Sequence, residues 1–177
     1  EAHPEMLLAG ERNGKILPGF DFGNSPSQLE HADLRGKTVI HTTSAGTQGI
    51  VNATQATQIL LGSFVNAKAT AAYIKKKNPA NVSLVCMGLE GKESTREDTL
   101  CAEYLQSLLQ CSKIDLAKGF EECKQTSGAK FFDEAQKSVF PTEDFYLSLE
   151  TDIFDFAMCI EKDAGGMFRT VKQEVLA

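Results

Sequence analysis

Two hydrophobic rhythms alternate along the chain. After the turn residues Gly36 and Lys37, residues 38–42 form a short β-branched, apolar run that predicts a strand. Small residues follow at 43–47, then a helix-compatible run at 48–55. Residues 58–65 read as a second strand, and 66–77 as a helix with Ala67, Ala71 and Ile74 on one face. Lysines end that helix, where cations suit its dipole, and Asn78 and Pro79 stop it. Residues 82–87 (V-S-L-V-C-M) are nearly all apolar, the pattern of a strand buried on both faces. A loop at 88–92 leads into a helix over 95–110, with Leu100, Tyr104 and Leu108 along one stripe. Beyond Cys111 the pattern is helical over 115–125, 130–138 and, with breaks, 142–160. Gly165 and Gly166 then introduce an edge strand at 167–171.

Strands alternating with helices predict βαβ units. The expected fold is α/β, a mainly parallel sheet with helices on both faces and a helix-rich C-terminal part, in a single domain over 1–177. In such sheets ligands sit outside the carboxyl ends of the strands. The loops after Thr42 and Met87 are therefore where chemistry is expected.

Composition narrows the function classes. A length of 177 residues suits one domain with a real core. Lys plus Arg is 18 against 24 Asp plus Glu, a net charge of −6. That balance, with only four arginines, argues against a nucleic-acid binder. No apolar run approaches the roughly 18 residues of a membrane helix, and recurring apolar segments argue against disorder. The five cysteines form no C-x-x-C and have no histidine at zinc-ligand spacing, which reads as reduced thiols in a cytoplasmic protein. No signal peptide is visible, and the opening at Glu1 reads as mid-sequence.

Four places carry candidate chemistry. In T-T-S-A-G-T, small residues let the backbone curl so that successive N–H groups face one anion, and Thr43, Ser44 and Thr47 add hydroxyl donors around Gly46. A tight strand-to-helix turn capped by Ser44 or Thr43 explains the same residues. In G-N-S-P, Ser25 fits a helix N-cap, Pro26 the first helical position and Gln28 a capping box, whereas a functional reading uses Asn24 as a polar contact. In S-T-R-E-D-T, Ser94 and Glu97 make another capping box, yet Glu97 and Asp98 after a strand end also suit Mg²⁺, and Arg96 suits a phosphate or carboxylate. In G-E-R, Glu11 and Arg12 either pair with each other or supply a ligand and an anion clamp. Of the three histidines, His41 reads as a sheet residue and His31 as exposed.

Taken together, these segments resemble the 2-phosphosulfolactate phosphatase family. The matching pieces are G-E-R from Gly10, G-F-D-F-G-N-S-P at 19–26, G-K-T-V-I-H-T-T-S-A-G-T at 36–47, L-G-S-F-V-N-A at 61–67 and E-D-T-L-C-A at 97–102. Their order and distances also match. The resemblance implies Mg²⁺-dependent hydrolysis of 2-phospho-3-sulfolactate to sulfolactate and phosphate, a step towards coenzyme M in methanogens. It implies that Asn24, Ser25 and the Thr43, Ser44, Gly46 and Thr47 loop hold the substrate's anionic groups. Glu97 and Asp98 are then the metal ligands, with Glu11 and Asp98 as acidic groups of the catalysis.

Two departures stand out. Ala45 occupies a loop position where the family usually has Asn, and the family's leading D-x-x-R-A-T-T segment has no counterpart here. The partner expected is a small anionic phosphate ester, with neither nucleic acid nor membrane, and an assembly of identical copies is compatible with it. Since the protein is itself acidic, such a substrate must be held by local donors: N–H groups, Mg²⁺, Arg12 and Arg96. The alternative is a binding module for a small phosphorylated or sulfonated acid that performs no catalysis.

Overall fold

The computed structural model of the protein describes residues 6–175, so His3 lies outside the described residues. The fold is α/β and contains two three-stranded sheets. In the first, β1 (Met6–Arg12) lies between β2 (Lys15–Ile16) and β3 (Thr38–Thr42). In the second, β5 (Phe156–Lys162) lies between β4 (Ile59–Leu61) and β6 (Phe168–Glu174). The helices are α1 (Pro26–Glu30), α2 (Gly46–Asn52), α3 (Ala67–Lys77), α4 (Arg96–Gln110), α5 (Leu116–Gln125) and α6 (Thr142–Leu149).

The first sheet is built by one short-range device. β1 turns back into β2 through Asn13 and Gly14, both left-handed at φ 54° and 75°. That pair matches a two-residue hairpin turn, whose backbone twist suits the flanking strands. β3 then runs parallel to β1, with Ala9 opposite His41 and Gly10 opposite Thr42. Gly10 must be glycine, because a Cβ there would meet the Thr42 carbonyl oxygen at 2.5 Å.

Among the described residues the one parallel ladder joins β1 and β3, with a single parallel bridge from Ala9 to Phe22, while the β1–β2, β4–β5 and β5–β6 ladders are antiparallel. The expected mainly parallel sheet with helices on both faces therefore finds no support among the described residues. The cause lies in residues 82–87, expected as a central parallel strand. They belong to no ladder among the described residues, and Val85 is 74% exposed. Apolar patterning makes a strand only where a neighbouring strand accepts its hydrogen bonds, and none lies alongside. Three further expectations change. Residues 58–65 give a three-residue strand followed by a 3-10 turn, Phe64–Asn66. Residues 130–138 fall into the 3-10 turns Ala129–Phe132 and Glu134–Gln136. The expected long helix at 142–160 stops at Leu149, and the chain re-enters as β5.

The helical half does carry the main core. Leu100, Phe64, Cys123 and Phe145 are buried together, surrounded by Tyr104, Phe120 and Phe132. Phe64 meets Phe120 edge-on at 5.2 Å between ring centres, and Phe132 meets Phe145 edge-on at 5.0 Å, a geometry that suits the ring quadrupoles. A smaller core joins α3 to β5 through Tyr73, Ala157 and Cys159. Asp152 fastens the two: its carboxylate accepts the Lys68 N–H at 2.7 Å and the Tyr104 hydroxyl at 2.5 Å. All five cysteines are free thiols. No helix among the described residues is long and apolar enough to cross a membrane.

Leu100 is 1% exposed at the centre of the helical core. Truncation to Ala should cost about 2–5 kcal/mol, lost contacts plus the cavity left behind. Urea unfolding of Leu100→Ala checks this, and a midpoint equal to that of the unaltered protein would remove the helical cluster as the stability centre.

Candidate active site

Strand alternation brings the first acidic group to the loop. Ala9 and Glu11 share one face of β1, and the register puts His41 of β3 on that face beside them. Glu11 is 8% exposed, so its carboxylate needs partners. Its Oε1 accepts the Ser44 N–H at 2.7 Å, and its Oε2 accepts the Ser44 hydroxyl at 3.0 Å and the Gly14 N–H at 2.9 Å. Burial pushes the carboxyl up, but the donors from Gly14 and Ser44 and the nearby Arg12 outweigh it and leave it below the usual range. Arg12 itself turns back to the Glu11 carbonyl oxygen at 2.7 Å.

The loop after β3 is self-braced. The Thr43 N–H donates to Thr47 Oγ1 and the Thr47 N–H donates to Thr43 Oγ1, each at 3.2 Å. Among the described residues, the N–H groups of Ala45 and Gly46 have no acceptor. Thr43, Ser44, Ala45 and Gly46 line one large cleft, whereas Thr47 and Arg12 stand outside its lining.

The same cleft is lined by Glu11, Asn24, Ser25, Arg96, Glu97 and Asp98, from three further parts of the chain. Ser25 heads α1, but its hydroxyl makes no helix cap, so the expected capping box does not form. It donates instead to Asp144 Oδ1 at 3.0 Å, which also takes the Ser27 N–H at 2.9 Å. Asn24 Oδ1 accepts from His41 Nε2 at 2.9 Å. Desolvation lowers the His41 pKa, with the Glu11 charge opposing, so the ring is neutral near pH 7.

The opposite wall is the start of α4. Its N-cap is Thr95, and Glu97 bonds to the Ser127 hydroxyl, so the Ser94–Glu97 capping box is also absent. Asp98 Oδ2 accepts the Gly88 N–H at 2.5 Å. Arg96 is held by Glu122 at 2.9 Å and Glu103 at 3.1 Å, which compensate its charge. Burial, then the neighbouring Asp98 and Cys86, push Cys101 up to about 12, so it offers no thiolate at neutral pH. Sequence reasoning missed Lys130, Ser127 and Asp144, which also line the cleft. Lys130 brings a cation with no acidic partner among the described residues, and no local pattern announces it. His41 was legible as a strand residue, but its link to Asn24 was not.

No group of three or more His, Cys, Asp or Glu side chains gathers as a metal cage among the described residues. Glu97 and Asp98 are consecutive on a helix and point about 100° apart, so they do not converge. Asp98 keeps one carboxylate oxygen without a hydrogen-bond partner among the described residues. That suits Mg²⁺ in its common mode of one carboxylate, waters and substrate oxygens.

The site is thus one cleft of an α/β protein, lined by a tight small-residue loop and by the acidic residues Glu11, Glu97 and Asp98. The chain belongs to the 2-phosphosulpholactate phosphatase family, whose model matches residues 1–164. A probable 2-phosphosulfolactate phosphatase of Caldicellulosiruptor saccharolyticus is 47% identical over 107 residues, covering 58% of this chain and 44% of the relative. One of Caldanaerobacter subterraneus subsp. tengcongensis is 42% identical over 117 residues, covering 64% and 48%. One of Bacillus subtilis is 27% identical over 179 residues, covering 99% and 76%. The aligned stretch spans about half the length of the first two relatives.

The lowered Glu11 pKa sets a pH signature. The folded value lies below the ordinary glutamate value of 4.5, so ionised Glu11 contributes stability above that pH. The contribution is lost as pH falls through the folded value. Urea midpoints between about pH 5 and pH 3 should fall more steeply for the unaltered protein than for Glu11→Gln. Parallel curves would show that the three donors do not stabilise the ionised carboxylate.

Proposed function

We propose that the protein hydrolyses the phosphate ester of 2-phospho-3-sulfolactate, or of a similar 2-phospho-hydroxyacid, to the free hydroxyacid and phosphate. The observation that carries this reading is the cleft itself, with the Ser44 loop on one wall and Asp98 on the other. Family membership and the relatives named as probable 2-phosphosulfolactate phosphatases support the substrate.

Each residue has a stated task in this reading. The free N–H groups of Ala45 and Gly46 receive a substrate anion. Glu11 keeps the loop curled by holding both donors of Ser44. Asn24 offers its amide to a second anionic group, and Lys130 supplies charge where Arg96 is already paired. Ser25 orders the Asn24 loop through Asp144. Asp98 is the residue to hold Mg²⁺, with Glu97 beside it. When bound, the ion neutralises charge on the phosphoryl oxygens and orients the attacking group. Five free thiols support a reducing, cytoplasmic setting.

One observation favours a second reading, binding without turnover. Glu11 is hydrogen-bonded three times and held ionised, so it is poorly placed to donate a proton.

Phosphate release from 2-phosphosulfolactate, with Mg²⁺ and with EDTA, separates these readings. Mg²⁺-dependent release is expected. Asp98→Asn keeps an acceptor for the Gly88 N–H, so it should lower kcat by about 100-fold at an unchanged thermal midpoint. Full turnover in EDTA removes the metal from the reading. No release at saturating substrate overturns the phosphatase, and saturable heat in calorimetry would then establish the binding module.

A further inference from the structure

His41 lies on the β1–β3 face beside Ala9 and Glu11, and the proposed chemistry leaves it unused. It does not line the cleft, but it touches Asn24, which does. The contact runs from His41 Nε2 to Asn24 Oδ1 at 2.9 Å. An amide oxygen can only accept, so the ring nitrogen there must carry the proton. The carbonyl end of Asn24 is thereby turned towards the sheet. Its Nδ2 has no acceptor among the described residues and is left with two N–H donors beside the cleft.

The orientation matters because a side-chain amide is nearly two-fold symmetric in shape and its final torsion is soft. Unrestrained, Asn24 would offer its oxygen to the cleft about as readily as its donors. An oxygen facing an anion repels it. We propose that His41 is a positioning residue: by donating from Nε2 to Asn24 Oδ1 it fixes the amide so that both N–H groups face an anionic group of the ligand in the cleft. The lock works in the neutral Nε2–H tautomer and in the imidazolium alike, since both donate at Nε2. It rests on the phosphatase reading for the identity of the ligand but not for the lock itself.

Steady-state phosphate release tests it in His41→Leu, His41→Gln, Asn24→Ala and the double variant H41L/N24A, with thermal midpoints measured in parallel. His41→Leu should raise KM about tenfold with kcat within about twofold. His41→Gln should stay near the unaltered protein, because its Nε2–H reaches a similar place. Asn24→Ala should match His41→Leu, and the double variant should be no worse than either. An unchanged KM in His41→Leu, a Gln variant as poor as the Leu variant, or losses that multiply in the double variant would overturn the proposal. Nitrogen-15 spectra of the imidazoles give a readout free of turnover. A single Nε2–H tautomer for His41 near pH 7, lost in Asn24→Ala, is expected, and a tautomer mixture in the unaltered protein would overturn the lock. If the unaltered protein releases no phosphate while its spectra show the locked tautomer, the phosphatase reading falls and the lock stands.

Discussion

A single carboxylate draws the cleft's first wall together. Glu11 is buried on β1, and a buried charge must collect donors or become neutral. It collects them from both directions of the chain: Gly14 in the hairpin that ends β1, and Ser44 in the loop that ends β3. The hairpin, the parallel pair and the Ser44 loop are thus held to one point. Ala45 and Gly46 of that loop line the cleft, and their N–H groups have no acceptor among the described residues.

Under the proposed function, this arrangement answers an electrostatic problem. A chain of net charge −6 repels a polyanion at long range. Its arginines do not relieve this locally, since Arg96 is bound to two glutamates and Arg12 to a backbone oxygen. Backbone N–H groups, the Asn24 amide and the cleft lysines Lys15, Lys77 and Lys130 remain. Such donors are directional and short-ranged, so they discriminate by shape more than by charge.

The parts of this design that depend on neighbours in sequence were legible, and the rest were not. The helices at 66–77, 95–110 and 115–125 follow from apolar spacing and were found within a residue. The edge strand β6 was announced by Gly165 and Gly166. The Asn13–Gly14 turn is a strong local hairpin signal, and it marks the end of β1 beside Glu11. β5 was missed for a different reason. Its buried Ala157 and Cys159 alternate with half-buried Phe156, Met158 and Ile160, so no polar residue marks the period. Residues 82–87 fail in the opposite sense: the strand pattern is there, but partners decide strands. Most candidate residues line one cleft, Thr47 and Arg12 excepted, but their bonding was not legible. Ser25 and Glu97 were read as local caps, and both bond across the fold, to Asp144 and Ser127.

The Ser25–Asp144 bond spans 119 positions along the chain. Closing so long a loop costs entropy that local contacts cannot repay, and contacts of this kind slow folding. Because ribosomes deliver the N-terminal end first, the hairpin and Ser44 loop emerge well before α6 exists to receive Ser25. The turn at Asn24 is therefore set only after α6 has emerged, long after its own residues are made.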